Sequence, residues 1–376
     1  MVYPWNSGAY RALLARKGRL PHALLLRGRE GVGKLAFAET LARALLCERP
    51  AADGGACGQC VACAWMGQGS HPDFRRLEPE ILSESRDPVE GSGKEGSEKK
   101  PSLEIKIEQV REIAGFIAMT THRNGAKVVL IHPAESLNPN AGNALLKSLE
   151  EPPSNTYFLL VAHRWHQLLP TIRSRCEQVV LPLPGRKAAR DWLSQEKLKN
   201  ADLALVQAGG APLLALQFDE EYWVEREGFF KALTAPRFDA LRVAERFRES
   251  APALVVGWLQ KLVYDLACHQ FTGGIRYNPD FAAPIAAIAA TLDRVETLRL
   301  LRHLVRLQRI VSHPLNPRLF LEQVLLSFSD LLAAALPGLL HEDDACPPCW
   351  LILTAISTFR NSPAGLTKRW RSCGTT

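Results

Sequence analysis

Between about residues 10 and 183, short β-rich apolar runs alternate with stretches in which apolar residues recur at helical spacing. Residues 23–26 read as a buried strand, followed by a Gly-rich turn and a helix over 34–47. Residues 73–77 form a weaker strand, and 105–119 carry a helical pattern through Val110, Ile113, Phe116 and Ile117. A strong strand is predicted at 127–131. Asn138 then offers an N-cap and Pro139 a first helical position, for a helix that stops at Pro152-Pro153. Strands at 157–162 and 178–183 bring the total to about five. The alternation predicts an α/β core, residues 1–183, with a parallel five-stranded sheet covered by helices.

After Pro184-Gly185 the strand signals end. A small helical unit is expected over 184–225, broken at Gly209-Gly210, and an all-α domain over 226–336. Two segments depart from the pattern. Residues 79–102 are rich in Glu, Ser, Gly and Lys without an aromatic residue and read as a disordered insertion. Residues 337–376 form an ill-patterned tail of unknown role.

Composition changes this picture little. The chain has 376 residues, 47% hydrophobic and 23% charged, enough for ordinary buried cores. The apolar runs 281–292 and 346–359 fall short of the roughly 18 residues of a membrane span. The first residues, Met1-Val2-Tyr3-Pro4-Trp5, do not resemble a signal peptide, so a soluble cytoplasmic protein is expected with no membrane partner. The net charge of +7 suits an acidic partner such as nucleic acid without establishing one.

Three patterns carry chemistry. Gly28-Arg29-Glu30-Gly31-Val32-Gly33-Lys34 lies between a strand and a helix, where a phosphate-binding loop belongs. Gly28, Gly31 and Gly33 would let backbone N–H groups turn inward, and Lys34 would reach the β/γ-phosphates. The next position should be a hydroxyl that holds Mg²⁺, but it is Leu35. After residues 128–131, where a working NTPase places an Asp and then a Glu, stand His132-Pro133. Nucleotide binding is left open and hydrolysis is not expected. Second, Cys47, Cys57, Cys60 and Cys63 form a C-x9-C-x2-C-x2-C set among nine cysteines. Four thiolates suit a structural zinc. An iron–sulfur cluster is the rival, weakened by Ala64 where a further Cys-Pro would be expected, and free thiols are the third reading. The isolated pair Cys346 and Cys349 reads as a feature of the tail. Third, Arg299, Arg302, Arg306 and Arg309 share one helix face, either solvated or set against DNA phosphate or a partner subunit.

The run Arg19-Leu20-Pro21-His22-Ala23-Leu24-Leu25, the four-cysteine module inside the first crossover, Asn143-Ala144-Leu145-Leu146-Lys147-Ser148-Leu149-Glu150-Glu151-Pro152-Pro153, and Ser174-Arg175-Cys176 together resemble the bacterial clamp-loader AAA+ family. The stretch His313-Pro314-Leu315-Asn316-Pro317-Arg318-Leu319-Phe320 adds to the likeness, which covers roughly residues 3–336. The resemblance implies an AAA+ core (1–183), a helical lid (184–225) and a helical collar (226–336). It implies a catalytically degenerate stator subunit of the DNA polymerase III holoenzyme, a DNA-directed DNA polymerase. Such a subunit joins motor subunits and δ in a hetero-pentameric ring that places a sliding clamp on primed DNA. It also implies that Arg175 acts in trans, as an arginine finger for a neighbouring ATP site. Two other functions are weighed: an active motor-type clamp-loader ATPase, and a zinc-module DNA-binding protein with a vestigial NTPase core.

Overall fold

The computed structural model describes residues 1–84, 101–119, 121, 125–235, 238–311 and 316–334. Most of the 79–102 insertion, the 337–376 tail with Cys346 and Cys349, and His313, Pro314 and Leu315 lie outside the described residues. The chain divides into two compact units, Met1–Ala201 with Gly210–Gln217, and Asp202–Gly209 with the residues from Phe218 onward. The 184–225 stretch is thus divided between them.

In the first unit, α1 (Ser7–Leu14) precedes β1 (Ala23–Arg27), and α2 (Lys34–Leu46) follows the Gly-rich turn. Next come α3 (Val61–Gln68), β2 (Phe74–Leu77), α4 (Glu80–Glu84) and α5 (Ile107–Ala118). Then β3 (Lys127–Ile131), α6 (Pro139–Glu150), β4 (Thr156–Ala162), α7 (Pro170–Arg175) and β5 (Glu177–Val180) complete the core. Helices α8 (Arg186–Gln195) and α10 (Pro212–Ala215) follow in this unit, while α9 (Ala201–Gln207) falls almost wholly in the second. The five strands are all parallel, in the order β2-β3-β4-β1-β5. A parallel sheet is buried on both faces, which is why β1 and β3 read as continuous apolar runs. Their side chains still alternate between two cores. Leu25, Val129, Ile131, Phe158 and Leu160 pack with residues of α5, α6 and α7, whereas Leu24, Leu26, Val128, Leu130 and Val161 pack with α2. Asn138 caps α6 as expected, its side chain accepting from Ala141 N at 2.8 Å.

Two sequence expectations need correction. The insertion does not begin disordered at 79, because Glu80–Glu84 is helical. Its flanks are tied, since the Glu80 carboxylate accepts from Ser102 N at 2.9 Å and pairs with Lys106 at 2.7 Å. Residues 168–175 also read in sequence as one helical stretch, but the helix starts at Pro170, whose fixed φ suits a first helical position.

The second unit contains α11 (Glu220–Leu233), α12 (Ala240–Arg246), α13 (Pro252–Thr272), α14 (Ala282–Thr291), α15 (Arg294–Ile310) and α16 (Pro317–Ala334). Trp258, Leu259, Leu262, Leu304, Leu321 and Phe328 form the centre of one apolar core. Beside it lies a buried polar network. Arg226, 2% exposed, donates to Asp280 at 2.6 Å and to Asn278 Oδ1 at 2.8 Å. Asn278 in turn donates to the fully buried Asp265 carboxylate at 2.8 Å. No helix among the described residues is long and apolar enough to cross a membrane.

Candidate functional site

The carboxyl ends of the parallel strands are where open α/β sheets place ligands, and the Gly-rich loop emerges there from β1. Gly31 and Gly33 have φ of 76° and 84°, backbone that an L side chain rarely adopts. The loop is packed from three directions. A Cβ on Gly28 would lie 2.2 Å from the carbonyl oxygen of Leu181. One on Gly31 would lie 2.8 Å from Leu214 N, and Leu213 N donates to Gly31 O at 3.0 Å. One on Gly33 would enter the ring of Tyr3, at 2.3 Å. From the same N-terminal segment, Trp5 Nε1 and Asn6 Nδ2 both donate to Val32 O, at 3.0 and 2.8 Å. Tyr3 and Trp5 stack on each other and meet Trp192 edge-on.

Lys34 is turned into its own loop. Its Nζ donates to Gly28 O at 2.9 Å and Arg29 O at 2.5 Å, and the residue is 2% exposed. Burial lowers its pKa to about 8, against the opposing pull of Glu135 and Glu30. Leu35 is partly buried in the apolar core, as its side chain requires.

At the ends of β3 and β4 stand His132 and His163, their Nε2 atoms 3.3 Å apart. Burial holds both rings near a pKa of about 4; for His132 the neighbouring His163 and Arg76 add to this, for His163 Lys34 and Arg164. One carboxylate escaped the sequence reading: Glu135, whose side chain is 2% exposed. It accepts from His163 N at 3.0 Å and Arg164 N at 2.9 Å, stapling the β3 turn to β4. Its one legible signal was an acidic residue four positions after the end of β3.

The second site is the cysteine module. Cys47 follows α2, Cys60 caps α3, and Cys63 lies within α3. The four sulfurs lie within 4.8 Å of one another. Two edges measure 3.8 Å (Cys47–Cys60) and 3.9 Å (Cys57–Cys63). These are far beyond the roughly 2.05 Å of a disulfide. They match the edge of about 3.8 Å that four Zn–S bonds of about 2.3 Å give in a tetrahedron. An iron–sulfur cluster, with each thiolate on a different iron, needs a wider set. Cys57, Gln59, Cys60 and Cys63 direct backbone N–H groups at the sulfurs over 3.3–3.5 Å. Burial pushes the Cys60 thiol up, but the N–H groups of Cys63 and Glu48 and neighbouring thiols outweigh it and bring it to about 6. The donor set fits a single tetrahedral metal ion.

The third site is the end of α7. Arg175 forms an ion pair with Glu150, and its Nη1 donates to Thr171 O at 2.9 Å. Cys176 beside it is buried, which pushes its thiol up to about 12 and makes it inert. Arg173 lies over the ring of Trp165, 5.4 Å from its centroid, on the packed side of the helix. Two phrases distant in sequence meet nearby, where His22 Nε2 lies 2.8 Å from Leu149 O. In the second unit, Arg299, Arg302, Arg306 and Arg309 are exposed on α15, opposite the buried Leu300, Leu304 and Leu307. Arg299 pairs with Glu296.

A family model described as DNA polymerase III, delta subunit matches residues 11–184, and one for the C-terminal part of the delta subunit matches 220–330. DNA polymerase III subunit delta′ of Pseudomonas aeruginosa is 44% identical over 57% of this chain, a match spanning 60% of that protein's length. The delta′ subunit of Yersinia pestis is 33% identical over 88% of this chain and 96% of its own. That of Escherichia coli is 33% identical over 77% and 84%. A solved DNA polymerase III γ subunit-related protein of Thermotoga maritima aligns over 86% of this chain and 99% of its own, at 20% identity and a TM-score of 0.42. Coverage by the Yersinia relative runs through both compact units, and on that ground the chain belongs to the DNA polymerase III delta′ subunit family.

Proposed function

We propose that this chain is the stator of a clamp loader. It turns over no ATP itself and lends Arg175 to the ATP site of a neighbouring subunit. The observation that carries the first half is the state of the phosphate loop. Lys34 spends its hydrogen bonds on Gly28 and Arg29 carbonyls, and Trp5 and Asn6 close on Val32 O. No hydroxyl follows Lys34, and the nearby Glu135 is committed to backbone N–H groups. A loop in that state has neither the magnesium ligand nor the water-positioning carboxylate that hydrolysis requires. The same state disfavours the motor-type reading.

Arg175 supports the second half by its place at an exposed helix end and by the Ser174-Arg175-Cys176 match. A guanidinium there can donate to a γ-phosphate and stabilise the charge that develops during transfer. The four cysteines hold a structural zinc, whose chemistry is to lock the segment between α2 and α3, not to react. The partners in this reading are the motor subunits and δ in a pentameric ring, and through the assembled ring a sliding clamp and primed DNA, in the cytoplasm.

Affinity purification of the full chain from its native cell tests this. Clamp-loader subunits should accompany it, and the chain stripped of them should show no ATP turnover above background. Turnover that vanishes in Lys34→Met would overturn the reading.

A further inference from the structure

Arg175 is the last residue of α7, and Glu150 is the last residue of α6. The guanidinium uses both terminal nitrogens inside its own chain, Nη2 on the Glu150 carboxylate and Nη1 on Thr171 O at 2.9 Å. A phosphate would be grasped with the same fork. Bonded in this way the head is held against the ends of α6 and α7 of its own chain, so an arginine that reaches into a neighbour must first release Glu150. The backbone that carries Glu150 is anchored, because His22 meets Leu149 O at 2.8 Å and Glu151 N donates to Lys147 O at 3.1 Å. The arginine is the longer arm.

We propose that Glu150 is a restraint on Arg175, holding it folded back on its own subunit until a neighbour's nucleotide displaces the carboxylate. This rests on reading Arg175 as a finger for that neighbour. The side chains of Arg175 and Glu150 are 34% and 47% exposed, so water screens the pair. An exposed pair biases such an equilibrium by up to about fivefold, a restraint and not a lock. The engaged population, and with it turnover at the served site, is reduced by that factor. Glu150 touches no reacting atom in this scheme. It is a positioning residue that acts through Arg175.

The test is steady-state ATP turnover, with clamp and primed DNA present, by the complete loader reconstituted with Glu150→Gln, Glu150→Asp, Arg175→Ala or the Glu150→Gln/Arg175→Ala double variant. Glu150→Gln should raise kcat by up to about fivefold at the site served, with KM for ATP unchanged. Glu150→Asp, which keeps the charge, should lie close to wild type. The double variant should fall to the level of Arg175→Ala alone. A Glu150→Gln rate at or below wild type, with Arg175→Ala depressed, overturns the restraint and leaves the finger standing. A wild-type rate in Arg175→Ala removes the finger and the restraint together. A Glu150→Gln rise that survives in the double variant places its effect elsewhere and also overturns the proposal.

Discussion

Replacing Cys60 by Ser removes one corner of the sulfur tetrahedron, and the structure indicates how far the damage should spread. Apart from the ligands themselves, the small cluster around the sulfurs contains only Ala62 and Ala56. The segment between α2 and α3 therefore has almost no apolar core of its own. What orders it, beside the zinc proposed for the site, is the set of N–H···S bonds from Cys57, Gln59, Cys60 and Cys63. At about 0.5–1.5 kcal/mol each, those bonds amount to roughly 2–6 kcal/mol of local stability. Losing them should lower the amide protection of residues 55–63 by roughly 30-fold to 2 × 10⁴-fold. The far end of α3 should be spared, because Met66 packs into the main apolar core with Phe37 and Leu41. Metal analysis and hydrogen exchange on purified wild-type and Cys60→Ser chains supply the measurement. Wild type should contain about one zinc per chain and the variant none. Unchanged protection of 55–63 in a metal-free variant would refute the reasoning, and so would iron in place of zinc.

Further outcomes follow from the same packing. Acidification should destabilise the first unit: His132 and His163 titrate near 4 when folded but near 6.5 when unfolded, so the unfolded chain binds more protons between those values. Stability should therefore be fully present above pH 6.5 and fall by a few kcal/mol towards pH 4, and a His132→Asn/His163→Asn chain should lose that slope in denaturant titrations. Arg226→Ala should cost about 3–5 kcal/mol by leaving Asp280 without its buried partner, while Asn278 Oδ1 keeps its bond from Gln207, read as a lowered Tm of the second unit by calorimetry. Gly33→Ala should destabilise the first unit by more than about 1 kcal/mol, since φ is 84° and the new methyl meets the Tyr3 ring; chemical denaturation measures it, and an unchanged midpoint would show that the N-terminal segment yields freely.

The sheet was legible because its central strands β1, β3 and β4 are buried on both faces, and residues 127–131 were read with the limits the structure has. The start of α6 was equally plain, since Asn138 and Pro139 act locally. The four cysteines announced themselves by spacing alone. What escaped were contacts made at long range. Nothing near Val32 in sequence says that Trp5 and Asn6 will close on its carbonyl. The absence of an acid directly after β3 was legible, but Glu135 reaches the end of β4 only through the fold. For Arg175, the sequence suggested a role and the structure supplied its resting partner, Glu150, twenty-five residues away.

The central claim is that this subunit's own loop is silent while its arginine serves another site. One comparison tests it most directly: ATP turnover of the complete loader, with clamp and primed DNA, carrying Lys34→Met or Arg175→Ala in this chain. Lys34→Met should leave turnover at the wild-type rate, and Arg175→Ala should lower it. A loader slowed by Lys34→Met and indifferent to Arg175→Ala would contradict the account.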